Sequence, residues 1–415
     1  MLYSKAFIHT SKDAPKDADN ISSALLIRAG FIDKLASGIY SFLPLGKIVS
    51  DKICQIIRKN LNEIGAQELI LPVMQPREIW EETGRWQTID PPLFKFKNRH
   101  EKEFALGPTH EEVLVDIVRD RIFSWQDLPQ NLYQIQTKFR NEQRATSGLL
   151  RTREFLMLDS YSFHTTQEDL KKHYAEVTDA FRKIFDECGL KPILTRASSG
   201  TIGGSISHEF ILLTEVGEDR IYLCGKCGFA ANSEIFKDKK CPECGSDLKE
   251  ERGIELAHIF LLGDLYSKKM GANFADKNNQ KKPIIMGCYG IGVGRLLAAV
   301  LEKYHDEKGM MWPVNLAPYS LYLIDLSSSK KGEEIYKNLQ DQNYQILFDD
   351  REVSAGVKFA DSDLLGFPIR LVVSDKTLEE DSVEIKLRGQ EATELVKINE
   401  LGGKIKDILR GASNA

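Results

Sequence analysis

No apolar run in the sequence reaches the roughly 18 residues that a membrane-spanning helix requires. The first ten residues carry no apolar signal core, and Asp13 and Asp17 are out of place in a transit peptide, so the expected location is cytoplasmic. Cysteine is sparse, with seven in 415 residues. That is too few for a disulfide scaffold of this length. Cys54, Cys188 and Cys288 are scattered singly, as buried or neutral thiols in a reducing compartment would be. Internal repeats and low-complexity segments are lacking. Charge of one sign is lacking too: a formal net charge of −5 gives no global attraction for nucleic acid, although a local basic face is enough for such binding.

What is present is the composition of a globular protein, 42% hydrophobic and 28% charged. The length suits two or three domains. Residues 50–65 read as an amphipathic helix, with Ile53, Ile56, Ile57, Leu61 and Ile64 at helical spacing and Gly65 ending it. Residues 68–74 read as a strand broken by Pro72. Residues 132–140 alternate, as do 153–161, where Arg153, Phe155, Met157, Asp159 and Tyr161 share a face. The two runs form an antiparallel pair joined by a long polar loop. Beyond Asn315, strands at 321–326, 344–348 and 369–373 alternate with helical stretches, the signal of a small α/β domain on a partly parallel sheet. The expected division is 1–215, a short charged insertion at 216–252, a resumption of the first domain at 253–314, and a tail domain at 315–415.

Arginine in three settings points to phosphate. Arg140 lies in Phe139-Arg140-Asn141-Glu142. Arg151 and Arg153 precede Phe155, and Arg295 closes Gly290-Ile291-Gly292-Val293-Gly294-Arg295 at a helix start. A guanidinium is a rigid fork of donors matched to phosphate and carboxylate oxygens. Lys138, Arg140, Arg144, Arg151 and Arg153 fall within sixteen positions, a density that repels itself unless an anion is bound. Phe155 on that face suits a flat ring stacked upon it. The glycine run does not match a dinucleotide fingerprint, because its spacing is wrong and no acidic ribose anchor follows. Thr109 and Glu111, in a turn entering a helix, have the chemistry to bind an ammonium. Simple helix capping by Thr109 with Glu112 is the plainer reading of these residues alone.

Cys224-x-x-Cys227 and Cys241-x-x-Cys244 stand thirteen residues apart, with Gly225, Gly228 and Gly245 at turns. Four thiolates in two such pairs suit tetrahedral structural zinc, and a segment this small and polar has little else to fold it. The alternative is a vestigial loop with reduced thiols.

Taken together these stretches resemble the class II aminoacyl-tRNA synthetases and, within them, the bacterial-type prolyl branch. Residues 37–46 with the following helix and Pro72 resemble the family's first motif, 139–164 the second, and Met286 to Arg295 the third. The resemblance implies an antiparallel catalytic sheet flanked by helices, a short zinc-ribbon-like insertion, a C-terminal α/β anticodon-binding domain, and a homodimer. It implies a ligase that joins L-proline to its tRNA using ATP with Mg²⁺. Arg140 then clamps the α-phosphate and the prolyl carboxylate, Glu142 anchors the adenine end, and Arg151 holds the outer phosphates. Phe155 and Arg295 lie on opposite faces of the adenine, and Glu255 faces ATP and Mg²⁺. Thr109 and Glu111 match the pair that takes the proline imino group, which reverses the capping reading. Met157, Asp159, Tyr161, His258, Phe260 and Cys288 match positions around proline. In the tail, Phe348 to Arg351 and Gly356 to Asp361 meet the anticodon loop, with Arg351, Lys358 and Asp361 as the contacts.

One departure stands out. Bacterial members usually carry a large editing domain between the second and third motifs, whereas here only about forty residues separate Phe210 from Gly253. A proline pocket discriminates against a smaller amino acid by only about 1–3 kcal/mol. The sequence therefore implies uncorrected alanyl-tRNA unless a separate protein supplies editing. Two other readings are a non-catalytic paralogue and a ligase for another small amino acid. Retention of every phosphate arginine opposes the first, and Cys288 with Thr109 and Glu111 opposes the second. A zinc-ribbon nucleic-acid module as the main function is weaker still, since the ribbon is under a tenth of the chain.

Overall fold

The computed structural model describes residues 1–15 and 18–413, so Asp17 lies outside the described residues. The chain divides into two compact units. One comprises Ala36–Ile39 and Cys54–Ala299, the other Met1–Leu35, Tyr40–Ile53 and Val300–Ala415.

Among the described residues the first unit is built on a nine-stranded sheet. Its centre is antiparallel: Gln130–Phe139 pairs with Glu154–His164, that strand with Ile285–Gly292, and that with the long strand Lys249–Gly263. The alternation read from the sequence sets the two faces. Ser160, Ser162 and His164 look toward the helix Gln167–Glu187, where His164 meets Asp169 at 2.7 Å. That helix is capped by the Thr166 side chain accepting from the Asp169 amide, and it buries Val177, Phe181, Ile184 and Phe185. The opposite face presents Phe155, Met157 and Asp159 to a pocket and Phe163 to a core shared with Trp80, Leu114 and Tyr266.

The helix expected over 50–65 spans Pro44–Glu63, with Ile53, Ile57 and Leu61 fully buried and Gly65 at φ 76° beyond it. Proline at its first position is pre-set for a helix start. In place of one strand over 68–74 there are two short ones, Gln67–Glu68 and Met74–Pro76. Pro72 lacks the N–H that a continuous ladder needs.

The segment 216–252 contributes strands to the same sheet. Asp219–Leu223 pairs with the beginning of Lys249–Gly263, and Ala230–Asn232 pairs with Asp219–Leu223. The two cysteine turns are built alike. The Cys224 amide donates to Phe229 O and the Cys241 amide to Ser246 O, each at 2.8 Å. Gly228 and Gly245, at φ 78° and 73°, supply the left-handed residue that each turn needs. Phe229 and Phe236 pack against them.

The second unit holds a five-stranded sheet. Ile346–Asp349, Leu321–Asp325 and Ile369–Val373 are parallel, and Ser382–Leu387 and Thr393–Lys397 are antiparallel additions. This is the partly parallel sheet expected of the tail. The opposite end of the chain joins it: Leu2 bridges Phe348 in parallel, and the Phe348 amide donates to Met1 O at 2.9 Å. No helix among the described residues is long and apolar enough to cross a membrane.

Candidate functional site

The pocket on the central sheet is a cleft of about 850 Å³ including its open mouth. Sequence separation is large but registry brings its walls together. Cys288 pairs with Phe260 on one side and Tyr161 on the other, and Gly290 sits between His258 and Asp159. Gly290 keeps that wall thin, since a Cβ there would lie 2.4 Å from the Met157 methyl.

At the inner end, the turn Gly107–His110 delivers Thr109 and Glu111. The Thr109 hydroxyl donates to Glu111 Oε2 at 2.6 Å, and the Cys288 thiol donates to Oε1 at 3.2 Å. Thr109 therefore does not cap the helix Glu111–Arg119; its N-cap residue is His110, with no side-chain cap. Glu112 completes no capping box either, because it is paired with Arg85. Tyr161 is buried behind this wall: its hydroxyl donates to Asp159 Oδ2 at 3.0 Å and accepts from the His110 amide at 3.0 Å. Burial lowers the His110 pKa to about 3, with Lys138 adding to the effect, so that ring is neutral at physiological pH. His258 stacks on Phe260 with centroids 3.9 Å apart.

At the outer end three arginines converge. Arg140 lies over the Phe155 ring, 5.2 Å from its centroid. Burial, and then the Arg295 charge, lower the Arg140 pKa. Arg295 donates to Leu150 O at 2.9 Å and to Glu255 Oε2 at 2.8 Å. Burial opposes ionisation of Glu255, but Arg295, His258 and Arg140 together hold its carboxyl below the usual range. Arg151 bridges Glu142 at 2.8 Å and Glu218 at 3.2 Å at the mouth.

Of the sequence-selected residues, Thr109, Glu111, Arg140, Glu142, Arg151, Phe155, Met157, Asp159, Glu255, His258, Phe260, Cys288 and Arg295 all line this pocket. Three of the five clustered basic residues lie outside the pocket lining, Arg144 being exposed to solvent. Lys138 is fully buried and pairs with Asp159 at 2.6 Å. Arg153 donates to the backbone carbonyls of Glu142 and Ser37, at 3.1 and 2.9 Å. Arg85 and Glu218 are marked by no local pattern, and Glu112 is marked only as a helix cap, because each acts through a partner distant in sequence.

The four cysteine sulfurs lie within 4.8 Å of one another, with Cys224–Cys244 and Cys227–Cys241 both at 3.5 Å. In the second unit Arg351 donates to Asp349 and Asp361, both at 2.7 Å, and lies 3.5 Å from the centre of the Tyr3 ring. Lys358 and Asp361 are buried at 5% and 7% exposure.

Residues 94–304 match the class II tRNA synthetase core domain shared by the G, H, P, S and T enzymes, and 322–408 match an anticodon-binding domain. A proline–tRNA ligase of Dehalococcoides mccartyi is 34% identical, with the whole of both chains covered. One from a Sulfurihydrogenibium species is 36% identical over 99% of this chain and 100% of that one. The first alignment runs to 568 positions against the 415 residues here, so 153 of its positions hold no residue of this chain. Among solved structures, a prolyl-tRNA synthetase of Cryptosporidium parvum superposes with a TM-score of 0.80 at 20% identity, covering 98% of this chain and 80% of that one. A Giardia lamblia prolyl-tRNA synthetase in complex with prolyl-adenylate gives 0.80 at 21% identity, covering 94% and 78%.

Proposed function

This chain belongs to the proline–tRNA ligases, within the class II aminoacyl-tRNA synthetases, and from that premise we propose how its own residues divide the work. The reaction is activation of L-proline by ATP to prolyl-adenylate and pyrophosphate, followed by transfer of proline to the 3′ end of its tRNA. The observation that carries the assignment is the polarity of the pocket, with an ammonium-type site at Thr109, Glu111 and Cys288 and three guanidinium groups at the other end.

Proline enters with its imino group toward Glu111 and Thr109. Its ring lies among Met157, His258, Phe260 and Cys288, with Asp159 and Tyr161 beneath. Arg140, whose guanidinium also reaches the Met157 sulfur at 3.8 Å, takes the carboxylate and the α-phosphate. Phe155 and Arg295 sandwich the adenine, Glu142 holds its edge, and Arg151 holds the outer phosphates. The carboxylate oxygen attacks the α-phosphorus and pyrophosphate leaves, so no protein nucleophile is needed. Rate enhancement comes from positioning and from fixed positive charge on phosphate oxygens. Glu255, whose carboxylate oxygens suit a hard cation, would hold Mg²⁺, with Glu209 adjacent; the ion supplies further neutralisation of the phosphates.

Residues 1–215 and 253–314 are assigned to catalysis, 216–252 to a structural insertion and 315–415 to anticodon binding. Arg351, Lys358 and Asp361 form the anticodon cluster, and Arg351 is its partly exposed member, at 22%. Convergence of the four thiols supports structural zinc. The family reading adds a homodimer working in the cytoplasm. Absence of 153 aligned positions supports loss of editing in cis, with correction left to a separate protein.

The direct test is amino-acid-dependent ATP–pyrophosphate exchange across all twenty amino acids without tRNA. Exchange driven by proline, with a weaker alanine signal, supports the assignment. Exchange driven by another amino acid overturns the specificity, and none at all overturns the pocket reading. Deacylation of alanyl-tRNA by the purified protein would refute the loss of editing.

A further inference from the structure

Glu111 and Glu112 are adjacent, and neither is exposed to solvent. Their roles differ, because Glu111 lines the pocket and Glu112 does not. One guanidinium serves both. Arg85 Nη1 lies 2.9 and 3.0 Å from the two Glu112 oxygens and 3.4 Å from Glu111 Oε2. The Thr83 hydroxyl donates to Glu112 Oε1 at 2.7 Å. Arg85 is 6% exposed and lies over the rings of Trp80 and Tyr266, at 5.2 and 5.3 Å. Just beyond, Lys138 and Asp159 cancel one another. Burial opposes ionisation of Glu112 and Arg85 favours it; with Glu112 ionised against Arg85, these five groups carry one negative charge in excess. It falls on Glu111, whose nearer hydrogen-bond partners are a neutral hydroxyl and a neutral thiol.

An uncompensated buried carboxylate is unfavourable until a cation meets it. A secondary ammonium supplies that cation. We propose that Glu112 is a positioning residue: by holding Arg85 it keeps the guanidinium from closing on Glu111, and so preserves the charge that the substrate ammonium meets. The inference rests on the assignment of Glu111 to the proline imino group. It goes beyond that assignment by giving a role to a residue that does not touch substrate.

Glu112→Gln leaves Arg85 with Glu111 as its nearest carboxylate. In pyrophosphate exchange, KM for proline should rise about thirtyfold or more, the scale of disturbing a buried charge pair. The kcat and the KM for ATP should stay within about twofold, a split that general loss of structure does not produce. Arg85→Met with Glu112→Met removes both charges and restores the excess on Glu111. Its KM for proline should lie near the parent's and well below that of Glu112→Gln. Exchanging a buried ion pair for apolar groups is often tolerated, so this double variant carries the test even if Glu112→Gln does not fold. A parental KM in Glu112→Gln overturns the proposal. So does a folded double variant with a KM raised as far as that expected for the single one. Glu111→Gln separates the two levels. If it leaves the proline KM unchanged, the reading of Glu111 fails and this proposal with it. If it raises the KM and Glu112→Gln does not, only the role of Glu112 fails.

Discussion

Lys138 and Asp159 face each other 2.6 Å apart, with 0% and 2% of their side chains exposed. Breaking a buried pair from one side strands the other charge at a cost of about 3–5 kcal/mol. Lys138→Met should therefore lower stability by about that much in chemical denaturation. Lys138→Met combined with Asp159→Asn should recover a large part of it. Equal instability in the single and double variants would show that the pair contributes packing rather than charge.

Glu209 gives the protein a pH dependence of a definite sign. Burial, then the neighbouring Glu255 charge, push its pKa up to about 8. A carboxyl whose folded pKa exceeds its unfolded one favours folding while protonated, and that contribution fades as pH rises from about 4.5 toward 8. Glu209→Gln should leave the melting temperature unchanged near pH 4 and raise it at pH 9, for a gain in stability on the order of a few kcal/mol. A parallel shift at both pH values would contradict that sign.

The cysteine knuckles lead to a metal measurement. Protein prepared without chelator should contain one zinc per chain, and Cys224→Ser or Cys241→Ser should lose it. Because metal binding is coupled to local folding, chelation should lower the thermal transition and speed proteolysis within 224–248. A metal-free preparation with an unchanged melt would reduce the cluster to four thiols.

Tyr3 supports Arg351 from beneath, while the Thr10 hydroxyl donates to Asp361 at 2.7 Å and the Ser4 amide to Asp350 at 2.8 Å. Tyr3→Ala should raise KM for tRNA about five- to tenfold, the range expected for loss of a desolvated cation–π contact. Proline-dependent pyrophosphate exchange, which involves no tRNA, should not change. A loss of exchange would mean that Tyr3 acts on the fold as a whole.

Much of this was legible in the chain. Alternation at 153–161 placed Phe155, Met157 and Asp159 on one face, and the third-motif glycines marked where Arg295 begins a helix. Local spacing suffices where one element supplies the residues. It failed where function depends on a cross-strand or long-range partner. Lys138 has the same strand parity as Arg140 and falls by sequence in the basic cluster that calls for an anion, but its partner is Asp159 on the next strand. Arg153 has a free-standing look in sequence, yet backbone carbonyls claim it. Arg85 lies in a short helix with nothing around it to announce a buried guanidinium, because Glu111 and Glu112 arrive from another element. The role of Met1 to Ser4 in completing the C-terminal sheet was invisible, since its partners lie at the opposite end of the sequence.

The strand Lys249–Gly263 runs on as one element past two register irregularities, at Leu256 and at Leu262. Its first residues are clamped to the knuckle-bearing strand Asp219–Leu223, and further along it presents Glu255, His258 and Phe260 to the pocket. From Ala257 onward it is hydrogen-bonded along both edges, which ties its two ends into one sheet. The interval between residues 223 and 249, which carries the four thiols, is therefore joined by one strand to the three side chains that line the pocket. Loosening of the cysteine cluster should then be felt at the binding wall, as a change in turnover with no sulfur of the cluster near the reacting atoms.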